Sequence, residues 1–273
     1  MKNMKIPILL LFLLYTILGN SQELQKLYVA YDIFFNTDYP VQKKCILQCS
    51  NEVAHFITYL NPKNNSSNET EEGPVVTQGK DNEVIIQLKE IDKVNFTDLK
   101  AAKIISTESK SDINYRIEEA FPTMHWTISE EETRLINQYR CNKALLTFRG
   151  RKYTAWFTTD IPMAFGPWKF HGLPGLILEI YDEDNRYHWS ATRIQYPYTS
   201  DKPISLLKPE RKGYQNITLT DYVILADKLQ NQANDKILAQ LPRGYTGRQL
   251  TIARHGLELQ YEWEDAAKGF SEK

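Results

Sequence analysis

Residues 165–180 read Phe165-Gly-Pro-Trp-Lys-Phe-His-Gly-Leu-Pro-Gly-Leu-Ile-Leu-Glu-Ile180, and no other part of the chain demands such particular residue types. Gly166-Pro167 breaks regular structure near the start of the run. Leu173 precedes a proline and is pushed toward extended geometry. Pro174 then fixes φ near about −65° and Gly175 can take a positive φ, which together make the centre of a type II turn. From Leu176 onward the residues alternate, with Leu176, Leu178 and Ile180 on one face and Ile177, Glu179 and Tyr181 on the other. The motif Gly172-Leu173-Pro174-Gly175-Leu176-Ile177 therefore predicts a rigid, kinked entry into an apolar strand. Its functional alternative is a backbone wall beside a site, with Trp168 and His171 presented to a ligand.

Working outward, the corner lies between two hairpins. The upstream one spans 133–158, and Gly150-Arg151 fits a two-residue turn with glycine first. That register puts Phe148, Tyr153, Leu146 and Ala155 on one face, and Thr147, Thr154, Leu145 and Trp156 on the other. The downstream hairpin runs through Leu176–Tyr181 and Tyr187–Tyr196, closed by residues 182–186. Earlier, Leu27 to Phe35, Val41 to Ser50 and Val53 to Leu60 read as strands, and several short alternating pieces fill 84–128. Residues 61–82 turn polar and read as a flexible loop or long hairpin tip.

One helix is expected late. Thr218 with Asp221 resembles a capping box. Tyr222, Leu225, Leu229, Ala233, Ile237 and Leu241 then recur at helical spacing until Pro242. Leu257 to Trp263 reads as a last strand. The expected fold is mainly β: an antiparallel sheet or half-barrel with one packed C-terminal helix, in a single β-rich domain over 22–273.

The start of the chain has its own signature. Lys2 and Lys5 precede an apolar stretch, Ile6 to Leu18, and then Gly19-Asn-Ser21, which together read as a signal peptide over 1–21. Thirty-three basic residues balance 34 acidic ones, which argues against binding nucleic acid through a concentrated positive field. Export implies an oxidising compartment, where three cysteines leave one thiol over. If Cys45 and Cys49 share a strand, their Cα atoms are about 13 Å apart, beyond the roughly 7 Å limit for a bridge. The expectation is a disulfide from Cys141 to Cys45 or Cys49, with three reduced thiols as the alternative.

Catalytic signatures are absent: there is no G-x-S-x-G elbow, H-E-x-x-H pair or Walker loop. No catalytic residue, metal site or cofactor is assigned, and Asp182-x-Asp184 lacks the glycine and distal glutamate of a calcium loop. Arg149, Arg151 and Lys152 read as a solvated positive hairpin tip. If any residue does proton chemistry, it is His171 with Asp160 or Glu179 as its orienting carboxylate.

Several rigid motifs follow one another in a fixed order. They are Cys141-Asn-Lys-Ala144, Phe148-Arg-Gly-Arg-Lys-Tyr153, Ala155-Trp-Phe-Thr158, Asp160-Ile-Pro162, the Gly172–Ile177 motif and Gly256-Leu-Glu-Leu-Gln260. This order resembles the GLPGLI family of secreted bacterial proteins, most closely over 139–182. The resemblance implies export in a Gram-negative bacterium, to the periplasm or cell envelope, and neighbourhood to outer-membrane transport components. It implies no catalytic residue set. Two functional readings follow. One is a non-enzymatic binding or accessory protein for an apolar ligand, a peptide or an outer-membrane transport component. Trp156, Trp168, Phe170, His171 and Tyr181 would line its site. The other is an exported hydrolase built on His171 and a carboxylate.

Overall fold

Alternation of apolar and polar residues sets the first strand, β1 (Leu27–Phe35), in which Leu27, Val29, Tyr31 and Ile33 are fully buried. In the computed structural model, residues 25–37, 40–58, 75–78, 84–87, 93–199, 213–239 and 254–264 are described. The predicted signal peptide, 1–21, lies outside them. After β1 come β2 (Val41–Cys49), β3 (Val53–Thr58), β4 (Val75–Gln78), β5 (Val84–Gln87), β6 (Lys93–Asp98), β7 (Lys103–Lys110) and β8 (Ile113–Ala120). The second half supplies β9 (Thr127–Ile136), β10 (Tyr139–Phe148), β11 (Arg151–Thr158), β12 (Leu176–Asp182), β13 (Tyr187–Gln195), β14 (Tyr214–Thr218) and one helix, α1 (Leu219–Ala239). Within the polar stretch 61–82, Val75–Gln78 is a strand, paired with β5 as a separate hairpin. The rest of that stretch lies outside the described residues.

Twelve strands form one sheet in the order β14-β8-β7-β6-β3-β2-β1-β13-β12-β11-β10-β9. It is an open sheet made of two antiparallel meanders joined where β1 pairs with β13; β14 adds to β8 in parallel. The mainly β expectation with one packed helix is what the fold shows. The sheet must curl strongly. Flat, β8 and β9 would stand about 48 Å apart, yet residues 121–126 join them and reach only about 25 Å. Contact between Glu119 of β8 and Arg149 of the β10–β11 turn confirms the curl.

The curled sheet encloses the main core, and the largest buried rings there are Trp189, Tyr31, Tyr153, Phe56, Phe157, Phe165 and Phe170. Much of this space is filled by the arch of residues 159–175 between β11 and β12. Ile161, Met163, Phe165, Phe170 and Leu173 of the arch are each only 1% exposed. The amide of Ile177 donates to the Phe165 carbonyl (3.1 Å) and that of Leu176 to the Ile161 carbonyl (3.0 Å). Gly175 does not supply the left-handed turn residue read from Pro174-Gly175, because its φ is not in that region. Its missing side chain is what matters: a Cβ there would stand 2.0 Å from the Thr158 carbonyl oxygen. Gly172 is the left-handed residue of the motif, at φ +91°.

The helix begins as its sequence suggests. The Asp221 amide donates to the Thr218 hydroxyl oxygen (3.1 Å), and that hydroxyl donates to the Asp221 carboxylate (2.7 Å). Its buried face is rotated from the expected stripe. Leu219 and Val223 pack with Tyr115, Ile117 and Tyr261, while Ala233 is exposed. Leu225 and Tyr222 remain at the edge of that second cluster. The rotation follows from β14 leading straight into the helix, so the first turn sits against β8. No helix among the described residues is long and apolar enough to cross a membrane.

None of the three cysteines is in a disulfide, and all are buried. The expected bridge from Cys141 to Cys45 or Cys49 is therefore not made. Cys141 lies on β10 and the other two on β2, five strand positions away along the sheet. Burial raises the Cys49 thiol pKa, and it pushes Cys141 up to about 11 despite the nearby Arg134.

Candidate functional site

The β10–β11 hairpin turns at Arg149-Gly150, one residue earlier than Gly150-Arg151. Phe148 pairs with Arg151 and Leu146 with Tyr153. Both turn residues have positive φ, +46° and +81°, the type I′ pattern. A two-residue shift in pairing leaves every side chain on its expected face, so Leu146, Phe148, Tyr153 and Ala155 are all buried together.

Arginine is an uncommon residue for such a turn, and its side chain explains its presence. Arg149 is buried and donates to Glu119 (2.7 Å) and to Glu262 (3.0 Å), and it also pairs with Glu258. Lys169, from the arch, pairs with Glu119 and donates to Glu258 (3.1 Å). The preceding residue, Trp168, is left-handed at φ +56°, a strained conformation for a bulky side chain that reverses the chain as it delivers Lys169. Next along the hairpin, Arg151 binds Asp182 (2.9 Å) and gives two further hydrogen bonds to the Gly256 carbonyl (3.0 and 2.6 Å). The Tyr153 hydroxyl donates to the Leu257 carbonyl at 3.3 Å.

These groups gather five parts of the chain: the end of β8, the β10–β11 hairpin, the arch, the end of β12, and a strap over 254–264. The strap was expected to be a strand. Instead it runs without a ladder, bent at Gly256 and Leu257, and ends in a short turn of helix at Glu262–Glu264. The Leu259 and Gln260 amides both donate to the Arg149 carbonyl of the hairpin (2.9 and 3.3 Å). Arg254 anchors the near end by bonding Asp227 of α1 (2.9 Å) and Glu264 (2.8 Å).

Arg149, Lys169 and Glu119 have side chains only 3–4% exposed and sum to one positive charge; Glu258 neutralises it, and the exposed Glu262 adds a negative charge at the edge. Burial alone would raise the Glu119 pKa, but Lys169 and Arg149 hold the carboxyl below its usual range. Burial would likewise lower Lys169, and Glu119 with Glu258 keep it above the ordinary lysine value. A carboxylate held ionised between cations held protonated is a poor proton shuttle. The cluster is suited to holding a segment of chain.

The solvated basic tip read from sequence survives only at Lys152, which is two-thirds exposed. Arg149 and Arg151 are buried, and so is Asp182, whose carboxylate also accepts from the Tyr187 amide (2.8 Å). Sequence reasoning missed this network. Its one local signal was an arginine where a type I′ turn favours asparagine or glycine; the partners at 119 and 258 are too distant in sequence to be inferred.

The five aromatic and histidine positions expected to line one site lie on opposite faces of the sheet. Phe170 is in the core, with ring centroids 4.8 Å from Tyr153, 5.1 Å from Trp168 and 5.7 Å from Trp189. Trp156 and Tyr181 are on the other face, since Trp156 pairs with Glu179 and Tyr181 with Thr154. There the Arg134 guanidinium covers Trp156 at 4.3 Å and Tyr181 meets the His188 ring edge-on at 5.6 Å. Trp168 and His171 fall beside the ion cluster.

His171 is buried with both ring nitrogens against backbone carbonyls, Nδ1 at Lys169 (2.8 Å) and Nε2 at Pro122 (3.0 Å). Its ring centroid is 3.8 Å from that of Phe121. Burial pushes its pKa down, against the two carbonyls that favour a protonated ring. Neither Asp160 nor Glu179 orients it. Asp160 is exposed, and Glu179 is on the outer face, paired with His188 (2.8 Å) and Arg134. Among the described residues no group of three or more His, Cys, Asp or Glu side chains is placed to hold a metal ion.

A family model described as "Protein of unknown function (Porph_ging)" matches residues 147–179. That span holds Arg149, Arg151, Tyr153, Lys169 and His171, and leaves Glu119 and the strap outside. Two solved structures of PNGF-II, in different space groups, are similar at 16% and 15% identity, each with a TM-score of 0.47. Each alignment covers 72% of this chain and 32% of that chain, so this chain spans about a third of the structures it matches. No curated protein matches the chain.

Proposed function

We propose that this chain is an exported, GLPGLI-type protein of a Gram-negative cell envelope that binds a polypeptide partner without catalysing a reaction. The observation that carries this reading is that the arch fills the interior of the curled sheet with its own side chains. An apolar small ligand has no place in that core. The ring nitrogens of His171 are both tied to carbonyls, which leaves a hydrolase without the base assigned to it.

What stays open is lined by apolar and charged groups together, with Phe121, Phe148, Leu219 and Trp263 among the former. A cleft of about 1260 Å³ opens beside the ion cluster, lined by Arg116, Glu118, His125, Arg149, Thr218 and Glu262. Charges of both signs beside apolar side chains suit an amphipathic peptide segment better than a lipid. The partner fits the class named by the family resemblance, an outer-membrane transport component. The apolar stretch Ile6 to Leu18, preceded by Lys2 and Lys5, supports export.

Native mass spectrometry of the protein purified from its own envelope tests this reading. A co-purifying polypeptide and no retained small apolar ligand are expected. Retention of a lipid-sized ligand with no polypeptide would overturn it. Hydrolysis of ester or peptide substrates by the wild type, lost in His171→Asn, would restore the enzyme reading.

A further inference from the structure

The strap has the character of a bound ligand more than of a structural element. Residues 256–260 are half-buried and outside every strand ladder, and polar groups of the hairpin and arch hold them. Each successive backbone or side-chain group meets a matching partner. The Gly256 carbonyl takes both Arg151 hydrogen bonds, the Leu257 carbonyl takes the Tyr153 hydroxyl, and the Glu258 carboxylate takes Arg149 and Lys169. The Leu259 and Gln260 amides share the Arg149 carbonyl. Three residues after the acid, the Tyr261 ring lies 5.2 Å under the Arg149 guanidinium. A Cβ on Gly150 would stand 3.0 Å from Leu259 Cβ, so the turn leaves room for the strap. Without Glu258 only the exposed Glu262 faces the net positive charge of the buried trio Arg149, Lys169 and Glu119.

We propose that Arg149, Arg151, Tyr153 and Lys169 form a binding site for an acidic peptide segment outside any strand ladder, occupied in cis by the chain's own residues 256–261. The site selects a carboxylate at the position of Glu258, an aromatic ring three residues later and a small residue two before. A partner segment of that pattern enters by displacing the strap, and the strap keeps the buried cations neutral until it does. This rests on the reading of the protein as a binder of a polypeptide partner, and it names the chemistry that partner presents.

The test uses the full mature chain, as wild type and as Glu258→Gln, with a fluorescent synthetic peptide of residues 254–264 as the probe. Anisotropy should show the Glu258→Gln chain binding the peptide at least tenfold more tightly than wild type does, because its own strap competes less well. A peptide with glutamine at the acid position should bind at least tenfold more weakly. Equal affinity of both peptides, or no binding to either chain, overturns the proposal. Hydrogen exchange on the wild type covers the case in which Glu258→Gln does not fold. The Leu259 and Gln260 amides should exchange well before those of the β10–β11 ladder, and exchange only together with that ladder overturns it. Binding of the strap peptide with no polypeptide recovered from the envelope would sink the proposed function and leave this site standing.

Discussion

Arg149 does two jobs that a substitution can separate. Its backbone takes the left-handed turn conformation, and its guanidinium closes the buried ion cluster. Asparagine accepts the same backbone geometry, so Arg149→Asn removes the charge while keeping the turn. Denaturant titration should show a loss of about 3–5 kcal/mol, the cost of breaking a buried ion pair from one side. Protons provide a second probe. His171 has a pKa below that of a free imidazole, so its contribution is full above about pH 6.5 and is lost as pH falls from there through its lower folded-state value. The stability difference between wild type and His171→Asn should therefore shrink from about pH 7.5 to pH 5, read from urea midpoints along a pH series. Glu119 is also depressed, and its contribution should persist down to about pH 4.3 before it is lost in acid. At this scale the sequence reveals identities better than roles. Gly175 is legible as a special position, but not the reason, which is the Thr158 carbonyl behind it.

Elements were more legible than their edges. Period-two alternation located β1, β10, β11, β12 and β13, and the capping pair Thr218 and Asp221 marked where α1 starts. The hairpin turn was misplaced because Gly150 satisfies either register and both give the same faces. The helix face was rotated because a period of 3.6 says which residues share a side, not how the preceding strand aims it. β9 shows what alternation cannot reveal. It is one of the two edge strands of the sheet, and residues 129–132 bulge opposite the single Lys143. Glu130, Glu131 and Glu132 sit on that bulge, with Lys143 bonding Glu132 at 2.8 Å. Acidic bulges blunt sheet edges against pairing with other chains. Replacing the three glutamates with threonines should make the protein self-associate at concentrations where wild type is monodisperse, as measured by sedimentation velocity. Unchanged sedimentation would mean that the edge is protected in some other way.

At the scale of the whole molecule, composition and strand count pointed to a mainly β fold, and the open sheet bears that out. The curl and the strand order were not legible, since they depend on pairings between residues more than a hundred positions apart. The expected disulfide failed for that reason: strand position, which spacing along the chain does not supply, sets the distance between Cys141 and β2. Thiol titration should find all three cysteines silent in the native protein near pH 8 and all three reactive after unfolding without reductant. Two missing thiols would indicate a bridge. The seam between the two meanders bears on how the chain is made. Phe35 pairs with Tyr187, and Tyr28 with Gln195, so β1 waits for over 150 residues of synthesis before its second neighbour exists. During that wait the central strand has a bare flank, and Tyr31 has no Ile177 carbonyl for its hydroxyl to bond. The middle of the sheet thus closes only once β13 is made, with the edge strand β14 still to follow, a topology that favours slow folding and a nascent chain in need of protection from its neighbours.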